Sequence, residues 1–413
     1  MKKFIFILFI CSLGPCSEGQ SPINLKLTKE LWREDLDYLK EKITTKHLNP
    51  YHRLSKEAID VEYATALKTI NLGSNSEAAL ALTSFASKFG DGHTYARPYK
   101  AFSEIPLYFR WFNDRLYVQN VEASLQKYLG WEIVKFGGFT PEEVLDKVSN
   151  YIANGESKGY IINEAQYVLR LTEMLNALKV SKEEDVLTLT VRNENGIIDS
   201  FDVCLKQPCS LTNMTNTFKK EPLRFQRFNE KLWYKTVTTD EGVIGYFNFI
   251  SYLNKKEMKA FGKRLNKWIE EGNFNVLLID FRTNGGGDGK KGERLLNIVK
   301  ETIQSKKIIV YVGIGNMTFS AGMGNASDFQ KGLNAKFIGQ PTAARPNGYQ
   351  ENNSFTLPNS NIPCSYSSEY YTYSDKDTSG IIPDILIEYD WKGFYNGQDP
   401  VIDWIMNTHF SKN

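Results

Sequence analysis

The stretch Val276-Leu-Leu-Ile-Asp-Phe-Arg-Thr-Asn-Gly-Gly-Gly287 runs from an apolar segment into a charged pair and then three consecutive glycines. Residues 276–280 show no polar alternation before Asp280, the pattern of a short strand buried on both faces. Glycines let a backbone approach a ligand closely and turn its N–H groups toward it. In open α/β sheets, ligands bind beyond the carboxyl ends of the strands. The stretch therefore predicts a strand that delivers an oxyanion hole or a phosphate cradle, with a flexible loop as the plain alternative. It lacks the Gly-Lys-Ser/Thr ending of a P-loop.

Working outward, Lys255–Glu271 reads as an amphipathic helix, and a second helix is predicted from about Gly292 to Gln304. Val243–Ile250 and Ile308–Val312 read as further strands. This alternation predicts βαβ units in a mixed or parallel sheet with helices on its faces. Upstream, Leu27–Leu82 is helical in pattern, with Trp32, Leu36, Leu39 and Ile43 near a 3.6-residue period. Between the two regions, Leu116–Val121, Gly130–Gly138 and Val186–Val191 read as strands. Thr140-Pro-Glu-Glu143 starts a helix, with Thr140 as N-cap and Pro141 at the first helical position.

The chain has 413 residues, which at about 150 per domain predicts two or three domains. It is 41% hydrophobic and 24% charged with a formal net charge of +2, a globular profile that excludes a largely disordered chain. The near-neutral balance gives no electrostatic reason to expect nucleic acid as a partner. Only four histidines are present, which argues against a histidine-rich metal site and shortens the list of possible bases. Met1-Lys2-Lys3 followed by an apolar run to Leu13 has the form of a secretory signal, with cleavage plausible before Gln20. The run is too short to span a membrane, which needs about 20 apolar residues. Pro15 directly before Cys16 fits a lipid-attachment site poorly. In an exported chain Cys204 and Cys209 could form a disulfide, or remain two separate thiols.

Two more segments can carry chemistry. Gly90-Asp-Gly-His-Thr-Tyr95 puts His93 on a glycine-flanked turn, where it could reach into a cleft. A histidine titrates near 6.5 and can serve as a general base near neutral pH; a lone histidine there also reads as a polar turn residue. Asn316-Met-Thr-Phe-Ser-Ala-Gly-Met-Gly324 places Ser320 between a strand and a small-residue stretch that can become helical. A helix N-terminus there would favour a developing oxyanion; the same serine also reads as an N-cap. It is not the Gly-x-Ser-x-Gly elbow.

Taken in order, these segments resemble the S41 peptidases, the tail-specific and tricorn-core proteases. Asp91-Gly-His-Thr94 is similar to that family's Asp-x-His-Thr, and Asp280–Gly287 to its Asp-Leu-Arg-x-Asn-x-Gly-Gly. Thr318-Phe-Ser-Ala321 is similar to its Thr-x-Ser-Ala, and Ile338–Thr342 and Gly380–Asp384 resemble two later signatures. The resemblance implies a multi-domain α/β protein with a ClpP/crotonase-like core. Its parts would be a signal peptide over 1–19, an N-terminal helical domain over 20–100, a PDZ-like β-rich module over 101–225 and a peptidase core over 226–413. It implies an exported serine endopeptidase acting on peptides or proteins without cofactor or metal. Ser320 would be the nucleophile and His93 the base, with Gly286 and Ala321 forming the oxyanion hole. Tail-specific members pair their serine with a lysine; the matching position here is Arg345, which cannot act as a base. Where the family often has a glutamate before the Gly-x-x-Pro-Asp stretch, this chain has Asp377, with Asp375 and Glu351 as alternatives for orienting His93. A non-catalytic protein binding peptides or small apolar ligands on the same fold is the alternative reading. The sequence leaves oligomeric state open.

Overall fold

The computed structural model describes residues 21–153, 156–181, 185–205, 214–216, 220–227 and 229–410. The leader over 1–19 lies outside these residues, as does Cys209 and with it the Cys204–Cys209 pairing.

Three helices open the chain: α1 (Lys29–Lys46), α2 (Lys56–Leu72) and α3 (Asn75–Ser87). Each has a Thr or Ser N-cap, at positions 28, 55 and 74, whose hydroxyl takes an orphan backbone N–H of the first turn. Ser74 and Glu77 complete a reciprocal capping box. The turn after α3 carries His93 and leads into the two-residue strand β1 (Tyr95–Ala96).

A second region is built on antiparallel strands β2 (Leu107–Phe112), β3 (Arg115–Glu122), β4 (Glu132–Phe136), β5 (Val186–Arg192) and β6 (Ile198–Cys204), which hydrogen-bond in that order. The short strand β7 (Met214–Asn216) pairs with β3. Helices α4 (Pro141–Ser149), α5 (Lys158–Val168) and α6 (Thr172–Ala177) interrupt the sheet between β4 and β5. Thr140 caps α4 in a capping box with Glu143, as its sequence predicts.

The third region is a six-stranded mixed sheet. Its members are β8 (Leu232–Thr238), β9 (Val243–Phe249), β10 (Val276–Asp280), β11 (Ile309–Ile314), β12 (Lys336–Gly339) and, far along the chain, β15 (Ile385–Leu386). β8 is antiparallel to β9, and the other neighbours are parallel. The crossovers are α7 (Lys255–Glu271), α8 (Gly289–Ser305) and α9 (Ala321–Leu333). β10 lies in the middle, and its alternate residues serve two cores. Leu277 and Ile279 join the side chains of α7–α9 on one face. Val276 and Leu278 join those of α10 (Trp391–Tyr395) and α11 (Pro400–Phe410) on the other. That double burial is why the strand reads as unbroken apolar sequence. A long hairpin, β13 (Asn347–Thr356) and β14 (Pro363–Thr372), leaves this core and pairs with β1.

One further apolar cluster binds the regions together. It runs from Trp32 and Leu36 of α1 through Phe109 and Ile133 of the second sheet to Phe319 and Met323 beside Ser320. The N-terminal helices and the inserted strands thus share a core with the segment that carries the serine. Among the described residues no helix is long and apolar enough to cross a membrane.

Candidate active site

β10 ends in a buried cluster of charge that fixes the glycine turn. Arg282 donates to both oxygens of Asp280 at 2.8 and 2.6 Å and to both oxygens of Asp399 at 2.7 and 2.8 Å. Tyr246 donates to Asp280 at 2.7 Å, and Arg282 also donates to Tyr389 at 2.8 Å. All these groups are buried, so the Asp-x-Arg pair of the motif is structural: it staples the end of β10 to the start of α11. Asn284 then fastens the turn, donating to Phe249 O and accepting from Gly286 N–H at 2.9 Å. Its carbonyl accepts from Phe319 N–H at 3.0 Å, which lays the serine segment alongside the glycines.

Ser320 stands at the N-cap position of α9 with φ 50° and ψ −132°, a conformation that costs a non-glycine residue about 1–3 kcal/mol. Its side chain makes no capping bond. The hydroxyl instead lies 2.9 Å from His93 Nε2. The serine thus makes no capping bond and meets an imidazole instead. Thr318 supports the bend, donating to Phe281 O at 2.8 Å and accepting from Gly315 N–H at 2.9 Å.

His93 is buried, and its ring stacks on Phe319 with centroids 4.9 Å apart. Burial holds the imidazole down at about 4; the charges of Asp91 and Glu351 oppose that and Arg97 adds to it. The ring is therefore neutral near pH 7, with Nε2 free to accept the Ser320 proton. Its Nδ1 is buried with no hydrogen-bond partner among the described residues. The turn itself is held by Asp91, whose Oδ1 accepts from His93 N–H at 3.1 Å and from the Ser367 hydroxyl at 2.5 Å. His47 Nδ1 accepts from Asn49 N–H, so its Nε2 carries the proton and donates to Asp91 Oδ2 at 3.0 Å. Burial pushes the Asp91 carboxyl up, but these bonds, that of His47 foremost, outweigh it and keep the group below its usual range.

Several expected residues sit differently. Asp377 does not reach His93: it is exposed and pairs with Arg345 at 2.8 Å. The Arg345 guanidinium takes its carboxylate instead. Among the three carboxylates considered from sequence, only Glu351 acts on the His93 ring by its charge; it also accepts from Tyr371 at 2.8 Å. Gly286 does lie against the serine, since a Cβ there would stand 2.8 Å from Ser320 Cβ, but its N–H is already given to Asn284. Ala321 N–H, first in α9, has no acceptor among the described residues. Sequence reading missed His47 and Ser367, which lie 44 and 276 residues from Asp91 and carry no local signal. The two late signatures pair with each other: Thr342 accepts from Ile381 N–H at 2.8 Å, and Gly380 packs against Thr342 O.

The three regions, the buried sheet and the serine brought to a histidine from another region make up the multi-domain α/β fold that the sequence resemblance implies. Among solved structures, the chain is similar to mature CPAF: TM-score 0.62, 13% identity, 92% of this chain and 96% of that one covered. Mature CPAF complexed with lactacystin aligns at TM-score 0.63, and the CPAF S499A mutant at 0.61, each at 13% identity. Those alignments cover 92% and 93% of this chain and 98% and 99% of theirs. At this identity the likeness is one of fold. No family model and no curated protein sequence matches the chain.

Proposed function

We propose that the chain is an exported serine endopeptidase. The observation that carries the reading is the 2.9 Å contact between Ser320 Oγ and His93 Nε2, made by a serine with a strained backbone and no capping bond. His93 takes the hydroxyl proton as Ser320 attacks a peptide carbonyl, and returns it to the leaving amine. The tetrahedral oxyanion forms beside α9, where Ala321 N–H is the donor at hand and the helix N-terminus adds favourable field. Gly286 supplies the close approach; its N–H joins the oxyanion hole once released by Asn284. The imidazolium that forms is stabilised by the charges of Asp91 and Glu351. Arg345, paired with Asp377, takes no part in proton transfer.

The proposal includes the leader over 1–19, the histidine-bearing helical domain over 20–100, the PDZ-like module over 101–225 and the peptidase core over 226–413. N-terminal sequencing of the protein recovered outside the cytoplasm should begin near Gln20. Labelling by a serine-reactive fluorophosphonate tests the chemistry. Modification at Ser320, lost in Ser320→Ala and strongly slowed in His93→Ala, is the expected result. A folded protein that never labels would instead support a binding protein on this fold.

A further inference from the structure

Just before α5 stands a half-buried carboxylate that the peptidase reading does not use. Glu156 Oε1 accepts from Gly92 N–H at 3.0 Å, and Oε2 accepts from Arg345 N–H at 2.9 Å. One oxygen thus holds the turn that carries His93; the other holds the segment that follows β12. The neighbouring contacts run the same way. Ser157 N–H donates to Ala343 O at 3.2 Å, and Ala343 N–H donates in turn to Thr318 O, two residues before the nucleophile. Gly92 is squeezed between the two sides: a Cβ there would lie 2.6 Å from Phe319 Cζ and 3.2 Å from Glu156 Cγ. Tyr160 of α5 stacks on Phe319 at 5.1 Å. Among the described residues no cation forms an ion pair with Glu156.

Building on the proposed Ser320–His93 chemistry, we infer that Glu156 is a positioning residue: its ionised carboxylate clamps the histidine turn to the 343–345 segment and so sets the serine–imidazole distance. Both N–H groups need an acceptor at once. A carboxylate offers one oxygen to each, whereas the protonated acid turns one oxygen into a hydroxyl donor that competes with an N–H. The charged groups facing Glu156 are Asp91 on the histidine turn and Arg345 on the opposite segment, the latter's guanidinium already engaged by Asp377. Burial, with Asp91 adding to it, pushes the carboxyl up to about 7 against the two N–H bonds and Arg345. The clamp therefore closes as pH rises through neutrality, a window in which His93 itself stays neutral.

The test uses the full-length chain and a fluorophosphonate probe at pH 6 to 8. A group titrating near 7 is ionised about tenfold less at pH 6 than at pH 8, so wild-type labelling of Ser320 should rise nearly tenfold across that range. Glu156→Gln keeps the volume but offers one acceptor, so it should label slowly and with no pH dependence there. Equal rates and equal profiles for the two proteins would overturn the clamp. Where the variant does not fold, the wild-type profile decides: a rise supports the clamp and a flat line from pH 6 to 8 overturns it. A wild-type protein that never labels refutes the serine reading instead. Amide exchange at Gly92 and Arg345 then tests the clamp without chemistry. Protection that strengthens above pH 7 supports it, and protection independent of pH overturns it.

Discussion

The proposed chemistry of Ser320 and His93 rests on position and burial more than on a chain of hydrogen bonds. The Nδ1 of His93 has no partner among the described residues, so nearby negative charge replaces a direct carboxylate bond. The first prediction follows. Because burial holds the imidazole down at about 4, the His93 limb of a kcat/KM profile should lie near pH 4, below the usual histidine range. The same shift acts on stability. Between about 6.5 and 4 the unfolded chain binds a proton that the folded chain refuses, so stability falls as pH drops through that window. His93→Gln should lose this dependence, and thermal melts at pH 7 and pH 4.5 would show it. A second prediction concerns Gly286, whose φ is +110°. Gly286→Ala puts a methyl against Ser320, and such misplacement of a reacting group costs on the order of a hundredfold. The fluorophosphonate labelling rate measures it.

At the scale of elements, β10 and the turn after it organise the site, and they were also what the sequence displayed most clearly. The apolar run and the three glycines are local signals, and so are the Thr140 cap and the amphipathic Lys255–Glu271, where the sequence boundaries match the structure. The β13–β14 hairpin is different. Asn347–Thr356 is rich in Asn, Gln, Glu and Ser and only partly buried, so no hydrophobic alternation marks it. Yet it delivers both Glu351 and Ser367 to the histidine. Spacing alone points to Asp377, and spacing does not reveal that Arg345 pairs with it. Glu156 belongs to none of the motifs, and nothing local announces the two backbone N–H groups it receives. Arg282→Met leaves Asp280 and Asp399 buried without their cation, and breaking such a pair costs about 3–5 kcal/mol. Urea unfolding should record a loss of that size.

For the whole molecule, the site depends on contacts between regions far apart in sequence. Buried Asp35 of α1 accepts from Asn359 and Ser360 N–H, each at 2.9 Å, and so ties the first helix to the tip of the β13–β14 hairpin. Asp35→Ala would strand two backbone donors and should cost about 1–3 kcal/mol, visible as a lowered melting temperature. Arg345→Ala tests the opposite case. Asp377 is largely exposed and the Arg345 side chain half-buried, and ion pairs open to solvent on one side contribute about 0–1 kcal/mol. That variant should melt close to wild type and keep labelling at Ser320, since the bond to Glu156 comes from the backbone.

The separation of His93 and Ser320 along the chain bears on the timing of synthesis. His93 leaves the ribosome 227 residues before Ser320, and Ser367, which steadies the histidine turn through Asp91, comes later still. A growing chain therefore cannot bring the two side chains together until residue 320 has been made. A product that stops short of residue 320 lacks the serine, so the chemistry proposed above would arise only after both residues have been made.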